Sequence, residues 1–300
     1  MDNRDDVREF LASRRARITP QQAGLPAYGG NRRVPGLRRE EVAMLAGMSV
    51  DYYVRLERGN LGGVSESVLE ALARALQLDE AERAHLHDLA RVANTGSRSR
   101  RRPVRQVRPS LQQLLDAMTD APAFIRNGRL DVLATNQLGH ALYWPILQSP
   151  YGRANTARFQ FLDPDGPSFF PDWEGVAAST VAMLRTEAGR DPYNKDLTDL
   201  IGELCTRSEE FRVRWAEHNV RLHRTGIKSF HHPVVGDLTL AYEAMELQAD
   251  PGLTLSAYSA EPGTPSYDGL KLLASWAATL EDDSEGAAAE GESSEEARES

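Results

Sequence analysis

The chain reads as an all-α N-terminal domain of five helices followed by an α+β domain with an antiparallel sheet. Three observations predict this. Residues 37–59, LRREEVAMLAGMSVDYYVRLERG, carry apolar residues at helical spacing, interrupted once by Gly47. Residues 122–136, PAFIRNGRLDVLATN, set Asn127-Gly128 between two runs of strand character, a strong short-range hairpin signal. Between these textures lies 95–108, TGSRSRRRPVRQVR, whose Ser, Gly, Pro and Arg mark a linker. The organisation predicted is therefore 1–94 helical, 95–108 linker, 109–280 α+β, and 281–300 an acidic tail.

Each element has its own signal. Residues 6–18 form a first helix with Val7, Phe10, Leu11 and Ile18 on one side and arginines near its C-terminal end, where cations suit the helix dipole. Prolines and glycines make 19–37 a long loop. The next helix runs from about Arg39 to Ala46, with Val42, Leu45 and Ala46 as apolar positions at i, i+3 and i+4. Gly47 ends it, since a residue without a side chain takes the left-handed conformation cheaply. Ser49 then caps another helix to about Arg58, with Tyr53 and Leu56 inward. Residues 65–76 and 79–93 complete the five. Beyond the linker, 109–119 is helical, 122–136 is the hairpin and 137–147 is helical. Helices follow over 173–187, 195–208 and 209–221. Strands then occupy 229–247, bent at Gly236, and 253–261, before a last helix at 268–278. A hairpin, then helices, then antiparallel strands defines an α+β domain.

Two short helices joined by a turn holding Gly, the second one capped, form a helix-turn-helix, in which the second helix enters the DNA major groove. Ala43 is small where the two helices cross. Arg39 starts the first of them, where backbone N–H groups and a guanidinium both meet phosphate. Arg32, Arg33, Arg38 and Arg58 are further candidate phosphate contacts. The charge balance agrees: residues 1–108 hold 20 arginines against 14 acids, whereas 281–300 hold nine acids and one arginine. A basic front and an acidic rear fit a nucleic-acid-binding end joined to something else.

The 37–59 stretch resembles the helix-turn-helix of the XRE or phage-repressor class. With the upstream RRVPGLRREEVA it resembles the MmyB-like transcription regulators more narrowly. That resemblance continues through RFQFLDP (158–164), RSEEFRVRWAEHNVR (207–221), HPVVGDLTLAYEAMEL (232–247) and AEPGTPSYDGLKLLASWAA (260–278), so it spans about 5–280. It implies a C-terminal PAS-like sensor whose ligand is small and fatty-acid-like. It also implies base contacts just after Ser49, at Val50 and Asp51, and one turn on at Arg55, with Tyr52 beside them. An arginine there can grip guanine through O6 and N7. An acid at the position of Glu57 is expected to pair with an arginine of the first helix, Arg14 or Arg15.

In the sensor, candidate ligand-lining residues are Phe124, Tyr143, Trp144, Phe159, Phe161, Phe170, Trp173, Trp215, Val220 and Tyr242. Arg185, Arg214 and His218 are candidates for holding a ligand carboxylate. No cofactor is expected beyond a bound fatty acid or other apolar molecule. One recognition helix reads few base pairs, so the expected complex is a homodimer on a two-fold double-stranded operator, answering to a small-molecule effector.

Other classes are weighed against this. No run of eighteen apolar residues predicts a membrane span, and the charged start MDNRDDVREF lacks a signal core. The single cysteine, Cys205, excludes an internal disulfide and fits a reducing, cytoplasmic setting. His85 and His87 are two apart on a helix and face different ways. No HExxH, GxSxG or phosphate-cradling Gly loop occurs, so no enzyme is expected. An enzyme domain with autoregulatory DNA binding, and a regulator whose C-terminal domain grips another protein, are the alternatives. The tail at 281–300 has too little apolar bulk to order itself.

Overall fold

A computed structural model describes residues 3–25, 34, 36–95, 106–220 and 224–279. In chain order the elements are α1 Asn3–Arg17, α2 Arg39–Leu45, α3 Val50–Glu57, α4 Glu66–Ala75, α5 Glu80–Thr95, α6 Pro109–Asp116, β1 Ala123–Asn127, β2 Val132–Thr135, α7 Gln137–Leu142, α8 Trp144–Gln148, α9 Thr156–Leu162, α10 Gly166–Phe169, α11 Trp173–Arg190, α12 Lys195–Arg207, α13 Glu209–Ala216, β3 Thr225–His232, β4 Gly236–Glu246 and β5 Leu253–Ser259. A final helix, α14, covers 265–279. The acidic tail, most of the linker and Arg32 and Arg33 lie outside the described residues. Among the described residues, no helix is long and apolar enough to cross a membrane.

The chain forms two compact units. One comprises Met1–Arg102 with Ala178–Leu222, the other Pro103–Ala177 with His223–Ser300. This departs from the single 109–280 body that the sequence predicts. The helical unit explains why. Val7, Phe10, Leu11, Val42, Tyr53, Leu56, Leu72 and Leu86 form one buried cluster, and Val220 belongs to it. Arg14 donates through Nη2 to the His218 carbonyl, and Arg91 donates to the Arg190 carbonyl at 3.3 Å. A side chain at Gly189 would overlap the His85 ring. The His85 ring is buried and in T-shaped contact with Phe10. Burial, then the positive charges of Arg185 and Arg14, lower its pKa to about 3, so it is neutral.

The second unit is a five-stranded antiparallel sheet in the order β2-β1-β5-β4-β3, with helices inserted between β2 and β3. This is the α+β, PAS-like arrangement predicted. Strand alternation sorts the side chains. On one face, Phe124, Phe230, Leu238, Leu240 and Tyr258 meet Leu138, Leu142, Tyr143, Ile146 and Leu273 from the helices. On the other, Ile125 and Leu255 meet Leu111 and Leu115 of α6.

Local chemistry moves three boundaries. Asn127-Gly128 is not a two-residue turn: β1 runs through Asn127, whose Oδ1 accepts from the backbone N–H groups of Arg129 (2.9 Å) and Asp131 (3.1 Å). That side-chain turn carries the chain to Leu130, at φ +68°. The strand predicted at 229–247 is two strands, and Gly236, at φ +74°, opens the second. The helix predicted to 221 ends at Ala216, and His218 follows in the left-handed region. Helices α9 and α10 have no counterpart in the periodic pattern, because each is only one or two turns long.

Asn136 anchors the sheet unit where β2 leads into α7. Its Oδ1 accepts from Gly139 N (2.7 Å) and Ala123 N (2.9 Å), and its Nδ2 donates to the Ala121 carbonyl (2.7 Å). The residue is buried, so Asn136→Ala leaves several backbone groups unpaired. Chemical denaturation of the variant is expected to show a loss of about 3 kcal/mol.

Candidate functional site

The candidate nucleic-acid interface is built by α2, the turn after it and α3. At the start of α2, the Arg38 N–H donates to Glu41 Oε2 at 2.6 Å, half of a capping box. At its end, Gly47 lies at φ +65°. Gly47 N then donates to the Met44 carbonyl and Met48 N to the Ala43 carbonyl. This closure turns the chain sharply toward Ser49. Ser49 Oγ accepts from Tyr52 N at 3.2 Å and starts α3. Buried Ala43, Tyr53 and Leu56 fasten the two helices to the core.

The opposite side of α3 is open. Val50 is 44% exposed, and Asp51, Arg55 and Arg58 are exposed with it, as is Arg38. Tyr52 is part-buried, its ring packed against the helical core. The proposed base readers thus share one outward side, whereas Tyr52 is partly committed to packing.

Glu57 sits beneath this surface, 3% exposed. Its Oε1 accepts from Arg15 Nε at 2.6 Å and Tyr53 Oη at 3.2 Å. Its Oε2 accepts from Arg39 Nε. Burial would raise the carboxyl pKa. The hydrogen bonds and charges of Arg15 and Arg39 outweigh that and hold it below the ordinary glutamate value. Of the two first-helix arginines expected at Glu57, Arg15 is the partner. Arg14 is taken by Glu82, Nε to Oε1 at 3.0 Å. Arg39, expected only at phosphate, is the second clasp on Glu57, although its side chain stays 56% exposed.

The thirteen ligand candidates separate into two groups. Phe124, Tyr143, Trp144, Phe161 and Tyr242 lie in the sheet unit. Phe124 and Tyr143 have ring centroids 4.5 Å apart, and the Tyr143 and Tyr258 hydroxyls are hydrogen-bonded at 2.7 Å. Trp144 meets Trp276 edge-on, and Phe161 meets Trp173. Phe159, Phe170 and Trp173 belong to the same unit. The other five, Arg185, Arg214, Trp215, His218 and Val220, are in the helical unit and are spent on its packing. The Arg185 guanidinium lies 3.7 Å from the Trp215 ring centroid and 3.9 Å from Asp6. Arg214 pairs with Glu210, and His218 Nε2 meets Glu9 Oε2 at 2.9 Å. Amphipathic spacing shows that a helix packs, and it does not show against which body. Lys228 and Tyr258, absent from the candidates, stand on the sheet face with Phe124 and Tyr242. The alternation of TGIKSFHH, which puts Lys228 in phase with Phe230, is the signal that locates Lys228 there. Among the described residues no cluster of His, Cys, Asp or Glu is arranged to hold a metal.

Two family models match the chain. Residues 107–273 match the model of the MmyB-like transcription regulator ligand binding domain. Residues 7–86 match a helix-turn-helix domain. A search of curated proteins found no match.

Because Glu57 is the shared acceptor for three side chains, Glu57→Gln is expected to cost about 3 kcal/mol, read by urea denaturation at pH 7. The folded pKa is depressed, so the stabilisation is complete above the unfolded value of about 4.3 and fades as pH falls through the lower, folded value. The stability gap between native protein and variant should accordingly narrow on acidification below about pH 4.

Proposed function

Given that the chain belongs to the MmyB-like transcription regulators, we propose that it binds a two-fold operator as a homodimer and that an apolar, fatty-acid-like effector sets its occupancy. That it is a DNA-binding regulator with a ligand-sensing domain follows from the two matched regions. The observation carrying the finer reading is α3: a Ser-capped helix whose Val50, Asp51 and Arg55 are outward while Tyr53 and Leu56 are inward.

In this reading α3 lies in the major groove. Arg55 takes a guanine edge, Val50 meets a thymine methyl, and Asp51 accepts from a cytosine amine or orients Arg55 one turn away. Arg38, Arg39 and Arg58 contact phosphates and set the register without reading sequence. Arg39 does so while clasping Glu57, so phosphate binding and the packing of α2 on α3 share one guanidinium. A second copy extends the site, with half-sites spaced about 34 Å or a multiple of it. The effector acts only if it favours one arrangement of the paired DNA-binding units over another.

Genomic footprinting supplies the operator, and two variants then test the roles. Arg55→Ala should relax preference at one base position, costing about 1–3 kcal/mol there with non-specific binding unchanged. Arg38→Ala should weaken all sequences alike and reduce the salt slope by about 1. An Arg55→Ala protein with unaltered sequence preference would remove α3 from the groove.

A further inference from the structure

The two edges of the sheet are finished differently. At one edge, β2 is four residues long, and its pairing with β1 shifts between Ile125 and Arg126. Its backbone groups are also taken up by neighbouring segments. Val132 N donates to the Ala154 carbonyl at 2.8 Å, and Gln112 Nε2 donates to the Thr135 carbonyl at 3.1 Å. A short strand, an irregular register and a covering segment are the usual means of keeping an edge from pairing with another chain.

At the other edge, β3 shows none of these. It runs eight residues in unbroken register with β4. Just before it, Ala244 N donates to the Arg224 carbonyl at 2.6 Å. Antiparallel bonding alternates along a strand, so Gly226, Lys228, Phe230 and His232 direct their backbone groups to β4. The N–H and C=O groups of Thr225, Ile227, Ser229 and His231 therefore point out of the sheet. Among the described residues, none of these four has a backbone partner on that side. Ile227 is 75% exposed, and Thr225 and His231 are exposed with it. The lysine of the strand does not guard the edge, because Lys228 is turned to the inner face beside the Phe170 and Phe230 rings. The polar side chains of Thr225 and His231 are already engaged on the sheet itself, with Glu243 and Asp237 of β4.

The occupant that suits such an edge is a second copy of the same strand. A two-fold interface sets one patch against itself, and two copies of β3 related in this way run antiparallel with matching rows of free groups. Charge and side-chain size favour one register. An axis at Lys228 opposes two ammonium groups, and an axis at Gly226 opposes Lys228 to Arg224; like charges facing across strands are unfavourable. An axis at Ile227 sets Thr225 opposite the partner's Ser229 and Lys228 opposite the partner's Gly226. It also sets Ile227 against its own counterpart. Because Ile227 is opposite Ala241 on β4, the outer face then carries one apolar row across both sheets, and the most exposed large apolar side chain among the described residues is covered.

We propose that β3 pairs antiparallel with β3 of a second copy about an axis at Ile227, joining the two sheets into one. This rests on the homodimer reading given above and names the surface that makes the dimer.

The test is analytical ultracentrifugation of the full chain over a concentration series, alone and with operator DNA. The native chain should form a dimer, and Ile227→Lys should raise its dissociation constant at least about tenfold. Ser229→Pro should do the same, since it removes an outward N–H and leaves the ladder to β4 intact. In a Cys205→Ser background, Ile227→Cys should give a disulfide-linked dimer with oxidised glutathione, because directly opposed residues of this kind lie about 5.5 Å apart between Cα atoms. Val213→Cys, exposed on α13, should not. If the lysine or proline variant fails to fold, the cross-link decides. A native dimer with an unchanged constant in the folded variants, or without the Ile227→Cys cross-link, refutes pairing through β3 and leaves the homodimer reading standing. A native chain that stays monomeric both alone and on the operator refutes both.

Discussion

The outward surface of the helix-turn-helix depends on one buried carboxylate. Glu57 closes α3, and its two oxygens gather Arg15 from α1, Arg39 from α2 and the hydroxyl of Tyr53 from α3 itself. Three helices are thereby held in register at a single point. A buried charge without partners is heavily penalised, so the clasp constrains as much as it attracts: α1, α2 and α3 must stay together for Glu57 to remain satisfied. The outward side of α3 inherits its position from that constraint, because Tyr53 and Leu56 beneath it are part of the same packed cluster.

A second theme is the reuse of sequence from the sensor region inside the helical unit. Residues 178–222 fall within the stretch matched to the ligand-binding family, yet they pack with α1 to α5. The polar links are specific: Arg14 to the His218 carbonyl, Glu9 to the His218 ring, Asp88 to Arg190 at 3.5 Å. The neutral His85 ring lies beneath them, against Gly189. These contacts give the DNA-binding helices partners that a minimal helix-turn-helix lacks.

Much of the fold was legible because local chemistry and periodicity act over a few residues. Ser49 capping, the left-handed Gly47 and the apolar phase of Val42, Tyr53 and Leu56 all emerged as read. The strands β1 and β5 did too. The turn after Asn127 was harder, since an Asn side chain that bonds its own backbone competes with the two-residue hairpin that Asn-Gly otherwise favours. For the candidate site the contrast is sharper. Exposure of Val50, Asp51 and Arg55 follows from helical phase. The partners of the arginines do not, because a long flexible cation can reach several acids and only three-dimensional proximity selects one.

The linear order of residues by itself determined the helix-turn-helix, its cap and break, the two-texture organisation and the family, since each is encoded in short-range spacing. Tertiary structure alone decided that Glu57 takes Arg15 and Arg39 while Arg14 goes to Glu82. It also decided that α12 and α13 join the helical unit, and that Lys228 rather than Arg185 stands on the aromatic sheet face. Those outcomes turn on which surfaces meet across long separations, where amphipathic faces of similar pattern are interchangeable until packing and desolvation choose between them.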